Sequence, residues 1–167
     1  MKKLILSLIA ILSVSLLSSA QTSLHRTYMS LKDIPGMKIK DSQTIQVNGI
    51  ADINGARTAT VKTNDHADRL KGDFFNNLDK ISSDDMVASA DNNNEFARIY
   101  AEPGDNNFYN VLIVQGDALS GIFSATYGTA TADDVEAIRS GAFSSNGGAL
   151  VLTTVSPDSG TLITMTE

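Results

Sequence analysis

The run from Phe108 to Gly128, FYNVLIVQGDALSGIFSATYG, constrains the chain most, because it holds its densest β-branched and aromatic content. Residues of that kind favour a pleated, half-buried surface, so Phe108–Val114 and Leu119–Tyr127 are expected to pair as antiparallel strands in the middle of a sheet. The expected turn is at Gly116-Asp117. The stretch Tyr109–Val114 is apolar at odd and even positions alike, which suits a strand covered on both faces. In the second strand Leu119, Phe123, Ala125 and Tyr127 share one side. Ser120, Ser124 and Thr126 share the other, with Ile122 among them, and this polar side is expected near solvent.

The N-terminus carries an address. Met1-Lys2-Lys3 is followed by LILSLIAILSVSLL and then Ser18-Ser19-Ala20. A short basic start, an apolar stretch and small residues at its end make a secretory signal peptide, with cleavage expected after Ala20. The apolar run is shorter than the about 20 residues that span a bilayer. No cysteine follows it, so a lipid-anchored form has no attachment point, and no stable membrane anchor is expected after cleavage. Cleavage leaves 147 of the 167 residues, read as a single domain from Gln21 to Glu167, secreted or periplasmic.

Losing Lys2 and Lys3 leaves 11 of 13 basic residues against 19 acidic ones, a net charge of −8. Such a chain lacks the clustered cations that neutralise phosphates, so no nucleic-acid partner is expected. The absence of cysteine from the sequence excludes disulfides and thiol catalysis, leaving packing alone to hold the fold.

The remaining segments alternate between the two periodicities. Ser23–Ile34 reads as a short helix through Leu24, Tyr28 and Leu31, stopped by Pro35-Gly36. Met37–Lys40 and the stretch from Thr44 read as strands. Asn48-Gly49 and Asn54-Gly55 compete for the next hairpin turn, and Asn54-Gly55 is favoured because it would set Asp52 opposite Arg57. Asp65–Ile81 is the clearest helix, with Asp65 as cap, Asp68 three residues on, and Leu70, Phe74, Leu78 and Ile81 in one stripe. Met86–Ala90 reads as a short strand, and Glu95–Ala101 as a strand or one helical turn. Thr131 with Asp134 forms a capping box for a helix through Arg139, closed by Gly141. Asn146-Gly147-Gly148, a strand over Ala149–Val155, a loop over Ser156–Gly160 and a last strand over Leu162–Met165 complete the chain.

The fold class is therefore α+β: an antiparallel sheet with two to three helices packed on one face, Asp65–Ile81 and the Asp133–Arg139 region among them.

Candidate chemistry is sparse. His25 and His66 lack motif partners and read as solvent-facing. Asp91, Asn93, Glu95 and Glu102 match four places of a calcium-loop spacing, but the sharp turn needs glycine where this chain has Phe96. Asp133, Asp134 and Glu136 are accounted for by the helix start. Ser124 lies outside any Gly-x-Ser-x-Gly elbow. No catalytic residue, cofactor or metal ligand is assigned.

The order of parts resembles a family of small exported Bacteroidetes proteins of unknown function. The resemblance rests on Ala20-Gln21, the short helix, Pro35-Gly36-Met37, the helix carrying Asn77-Leu78-Asp79-Lys80-Ile81, the strand near Met86 and the hairpin. Those proteins commonly end with a glycine-containing segment, where this chain has Leu150-Val151-Leu152 and Leu162–Met165. The family has no established catalytic residues to carry over, and it implies an envelope or extracellular location. The expected function is a non-enzymatic accessory or binding domain with a protein or small-molecule partner. Its rivals are a hydrolase whose carboxylates meet only in the fold, and an assembly subunit donating an edge strand such as Leu162–Met165.

Overall fold

The computed structural model describes residues 22–63, 65–142 and 150–155. The signal segment with its cleavage point, the Asn146-Gly147-Gly148 turn, the Ser156–Gly160 loop and the Leu162–Met165 strand lie outside them. In order, the described chain forms α1 (Ser23–Lys32), β1 (Lys38–Asp41), β2 (Thr44–Val47), β3 (Ala51–Lys62), α2 (Ala67–Leu78), β4 (Met86–Asp91), β5 (Glu95–Pro103), β6 (Tyr109–Asp117), β7 (Ile122–Ala130), α3 (Ala132–Gly141) and β8 (Leu152–Val155). The strands make one antiparallel sheet in the order β4-β5-β6-β7-β3-β2-β8. β1 and β2 follow one another along the same edge of β3, opposite Arg57–Thr60 and Ala51–Asn54. The class is α+β, as expected.

The central hairpin pairs β6 with β7 from Tyr109 opposite Ala130 to Asp117 opposite Ile122. Its turn falls later than Gly116-Asp117, because the Asp117 carboxylate accepts the N–H groups of Leu119 and Ser120 and so bends the chain beyond itself. Leu119 consequently sits at the tip, 78% exposed, and not on a strand face.

β6 divides the core as its two-sided apolar character requires. Leu112 and Val114 join Phe74, Leu78, Phe96, Phe123 and the buried face of α1 in one cluster. Val111 and Ile113 join Ile45, Val47, Ile53, Val135 and Ile138 in a second cluster on the opposite face. Two helices, α1 and α2, thus pack on one face of the sheet, while α3 packs on the other. The placement of the Asp133–Arg139 helix beside Asp65–Ile81 is corrected. Its stripe of Val135 and Ile138 meets the odd-numbered face of β6, which only the register of the sheet decides.

The polar side of β7 is corrected as well. Ser124 and Thr126 are 2% and 0% exposed, and the Thr126 hydroxyl lies 2.9 Å from that of Thr58 on β3. Alternation marked the side, but β3 and β6 flank these short side chains and bury them.

The hairpin between β2 and β3 turns at Asn48-Gly49, both with positive φ, and not at Asn54-Gly55. Asn54-Gly55 lies inside β3, where the register shifts between Asn54 and Arg57 as in a bulge. The deciding contacts are distant in sequence: the Asn48 side chain donates to the Ala142 carbonyl and accepts the Val151 N–H. Asp52 therefore faces Gln46, and Arg57 faces Asp41.

Local capping follows the sequence at one helix and departs at another. At α3 both halves of the Thr131–Asp134 capping box are present, and the helix continues through Gly141 to end at Ala142. α2 starts two residues later than Asp65, at Ala67, with His66 at the cap position and no side-chain cap bond.

Candidate functional site

Where the first turn of α1 meets the sheet, polar and aromatic groups from several strands gather. The Thr22 hydroxyl accepts the His25 N–H, and Glu102 of β5 accepts the Leu24 N–H at 3.0 Å. A carboxylate set against a helix N-terminus is favoured by the unpaired N–H groups and the helix dipole. Above this joint, Tyr28 stacks on Tyr127 with centroids 5.6 Å apart, and His25 meets the same ring edge-on at 5.3 Å. The Tyr127 hydroxyl donates to Asn110 Oδ1 at 3.1 Å. Asp41, Arg57 and Tyr127 stand in register across β1, β3 and β7, with Arg57 Nε 3.2 Å from Asp41.

Burial governs the electrostatics here. It pushes the phenols of Tyr28 and Tyr127 above their ordinary pKa, so both remain protonated donors at neutral pH. Asp85, in the short turn before β4, is also raised, first by burial and then by the nearby charges of Glu102 and Asp84. Two polar atoms in the cluster, Tyr28 Oη and His25 Nδ1, are buried without a hydrogen-bond partner among the described residues. The arrangement is well made for holding α1 against the sheet and for donating hydrogen bonds.

The residues singled out in the sequence do not converge. His66 is exposed, as expected, and borders a shallow cleft of about 200 Å³ with Pro35, Arg69 and Asp73. His25, expected to face solvent, is half-buried against Tyr127 in the cluster at α1. That volume is below the range of about 300–1,000 Å³ usual for ligand pockets. Asp91 is held by Arg98, whose Nε and Nη2 lie 3.0 and 2.5 Å from Oδ2 and whose guanidinium lies over the Phe75 ring. The Asn93 carbonyl accepts from Lys71, and Glu95 accepts from the Asn92 side chain. Glu102 lies near the far end of β5 from Glu95. Among the described residues no group of three or more His, Asp or Glu side chains is placed to hold one ion. Asp134 serves α3 and the backbone of β3, Asp133 is exposed, and Glu136 pairs with Arg139 on the surface.

The sequence reading missed the cluster around Tyr28. Its only local signal is the three-residue spacing of His25 and Tyr28, which sets both on one side of a helix. Comparison with protein-family models, with curated proteins and with solved structures finds no match.

Proposed function

We propose that this chain is an exported domain of the bacterial envelope that works by binding, as an accessory to a protein or small-molecule partner, and not by catalysing a reaction. The observation that carries this reading is the structural employment of its carboxylates. Glu102 docks α1, Asp134 ties α3 to β3, Asp91 holds Arg98, and Asp117 shapes the central turn. A general acid or base must be able to give or take its proton beside a substrate, and these groups are committed to main-chain or ionic partners. The basic, apolar, small-residue order of the N-terminus supports export, as does the resemblance to small exported Bacteroidetes proteins.

The test combines fractionation with an activity screen. Expressed with its own N-terminus, the chain is expected in the periplasm or medium beginning at Gln21, and to leave chromogenic esters, glycosides and phosphates unturned. Retention in the membrane with the first 20 residues intact would overturn the export half. Turnover that disappears in Glu102→Gln but not in a surface control would overturn the binding half.

A further inference from the structure

Among the described residues, β1 is a strand with one side in use. It pairs with β3 alone, while β8 covers β2, the strand that follows it along the same edge. All four of its residues are exposed, including Ile39 at 55%. Ser42 donates its N–H inward to the Ala56 carbonyl in the same register, so alternation turns the backbone groups of Lys40 and Lys38 inward as well. Those of Ile39 and Asp41 point outward, an N–H and a C=O at each that pair with no strand among the described residues.

The side chains on this edge are selective. Lys38 and Lys40 stand opposite Thr60 and Thr58, which in turn stand opposite Ser124 and Thr126, so both lysines lie on one face. Lys62 ends the adjoining row on that face, opposite Ile122. None of the three lysines has an ion-pair partner among the described residues. A basic edge of this kind sits on a chain whose net charge is −6. Side chains on one face of a strand recur about every 6.6–6.8 Å, the spacing at which an extended partner presents its own alternate residues.

We infer that β1 is an acceptor edge for an extended segment of a partner protein, with acidic residues at alternate positions and apolar residues between them. Acids at alternate positions face Lys38 and Lys40, and an apolar residue covers Ile39 on the other face. The backbone of Ile39 and Asp41 supplies the hydrogen bonds, as in strand addition to other open sheet edges. A second copy of this chain is a poor occupant, because antiparallel pairing of two β1 strands centred on Ile39 sets Lys38 opposite Lys40. The chain's own Leu162–Met165 carries no acid to meet the lysines. This inference deepens the binding reading above and rests on it. A failure of peptide binding by the purified chain would leave export and an accessory role standing.

The test is an anisotropy titration of the mature chain with two fluorescein-labelled octapeptides, one alternating glutamate and valine, the other lysine and valine. The acidic peptide is expected to bind at least about tenfold more tightly and to weaken with salt. Lys38→Glu with Lys40→Glu should reverse the preference. Ile39→Pro removes only an outward N–H, so it should abolish binding while keeping the fold. On binding, the Ile39 and Asp41 amides should gain protection from exchange. Equal affinity for both peptides, or unchanged preference in the double lysine variant, would overturn the proposal, as would protection of those amides in the free chain. Tighter peptide binding on replacing both lysines with alanine would overturn it too, showing that they guard the edge against pairing.

Discussion

Asp134 connects two parts of the fold that are far apart in sequence: its Oδ1 accepts the Asp52 N–H at 3.1 Å, while its Oδ2 accepts the Thr131 hydroxyl and N–H. One carboxylate thus closes the start of α3 and fixes that helix to β3. Burial opposes its charge, but the hydrogen bonds from Thr131 and the Asp52 backbone outweigh it and hold the pKa below 3.8. The folded pKa is depressed, so the stabilisation is present above the unfolded value and disappears as pH falls through the folded one. Asp134→Ala is expected to cost about 1–2 kcal/mol at pH 7, as lost caps do. Urea melts of both proteins should differ at pH 7 and draw together as pH falls through and below the ordinary carboxylate range. A gap of the same size at low pH would reassign the effect to packing.

Two glycines should respond to alanine in opposite directions. Gly121, with φ +67°, sits where an added Cβ would fall 1.6 Å from the Thr63 carbonyl oxygen. Gly121→Ala must move that backbone as well as strain its own, and a loss of roughly 3 kcal/mol or more is expected. Gly72 lies within α2 with open space where a Cβ would go. Gly72→Ala should therefore stabilise by about 0.5–1 kcal/mol, since alanine loses less freedom on entering a helix. Thermal melts of the two variants give the comparison directly.

Tyr28→Phe should be neutral or stabilising. The ring is 2% exposed and stacked on Tyr127, and those contacts survive the change. Its hydroxyl is buried without a partner among the described residues, a condition that costs about 1–3 kcal/mol. The phenol pKa is raised above 10.0 by burial, so the folded state holds the proton longer. Stability therefore falls as pH rises past 10, and Tyr28→Phe should soften that fall. A clear loss of stability at neutral pH would show that the hydroxyl is bonded after all.

The parts legible in the sequence are those whose cause is local. The stripe Leu70, Phe74 and Leu78, the Thr131–Asp134 box and the two-faced strand at Val111–Val114 each follow from neighbours within a few residues, and all three are observed, although Ile81 joins that core from beyond the end of the helix at Leu78. What escaped depends on distant partners. Asn48-Gly49 prevails over Asn54-Gly55 because Ala142 and Val151 hold the Asn48 side chain. The side of the sheet taken by α3 depends on register, and the burial of Ser124 and Thr126 depends on the strands beside them. The cluster at α1 was hidden for the same reason, since His25 and Tyr28 meet Tyr127 and Glu102 only in three dimensions. The lysines of β1 were visible as alternation, but that no described strand covers its outer side could be known only from the order of the strands.

The melting temperature of the chain should not change when a strong chelator is added. The calcium-like spacing has partners from the chain at three of its places: Arg98 engages Asp91, Lys71 takes the Asn93 carbonyl, and Asn92 donates to Glu95 Oε2. The Asn92 side-chain oxygen accepts the N–H groups of Asn94 and Glu95, closing the turn through the chain's own groups. Glu102, which would supply the last ligand, is committed to the start of α1. An ion bound only to the folded chain at a hundred times its dissociation constant would add about 2.7 kcal/mol, enough to move the melt by several degrees. Melts with chelator, with calcium and with neither are therefore expected to superimpose. A fall in the chelator melt that calcium restores would mean that Asp91 exchanges Arg98 for a metal ion, and Arg98→Ala would then strengthen calcium binding.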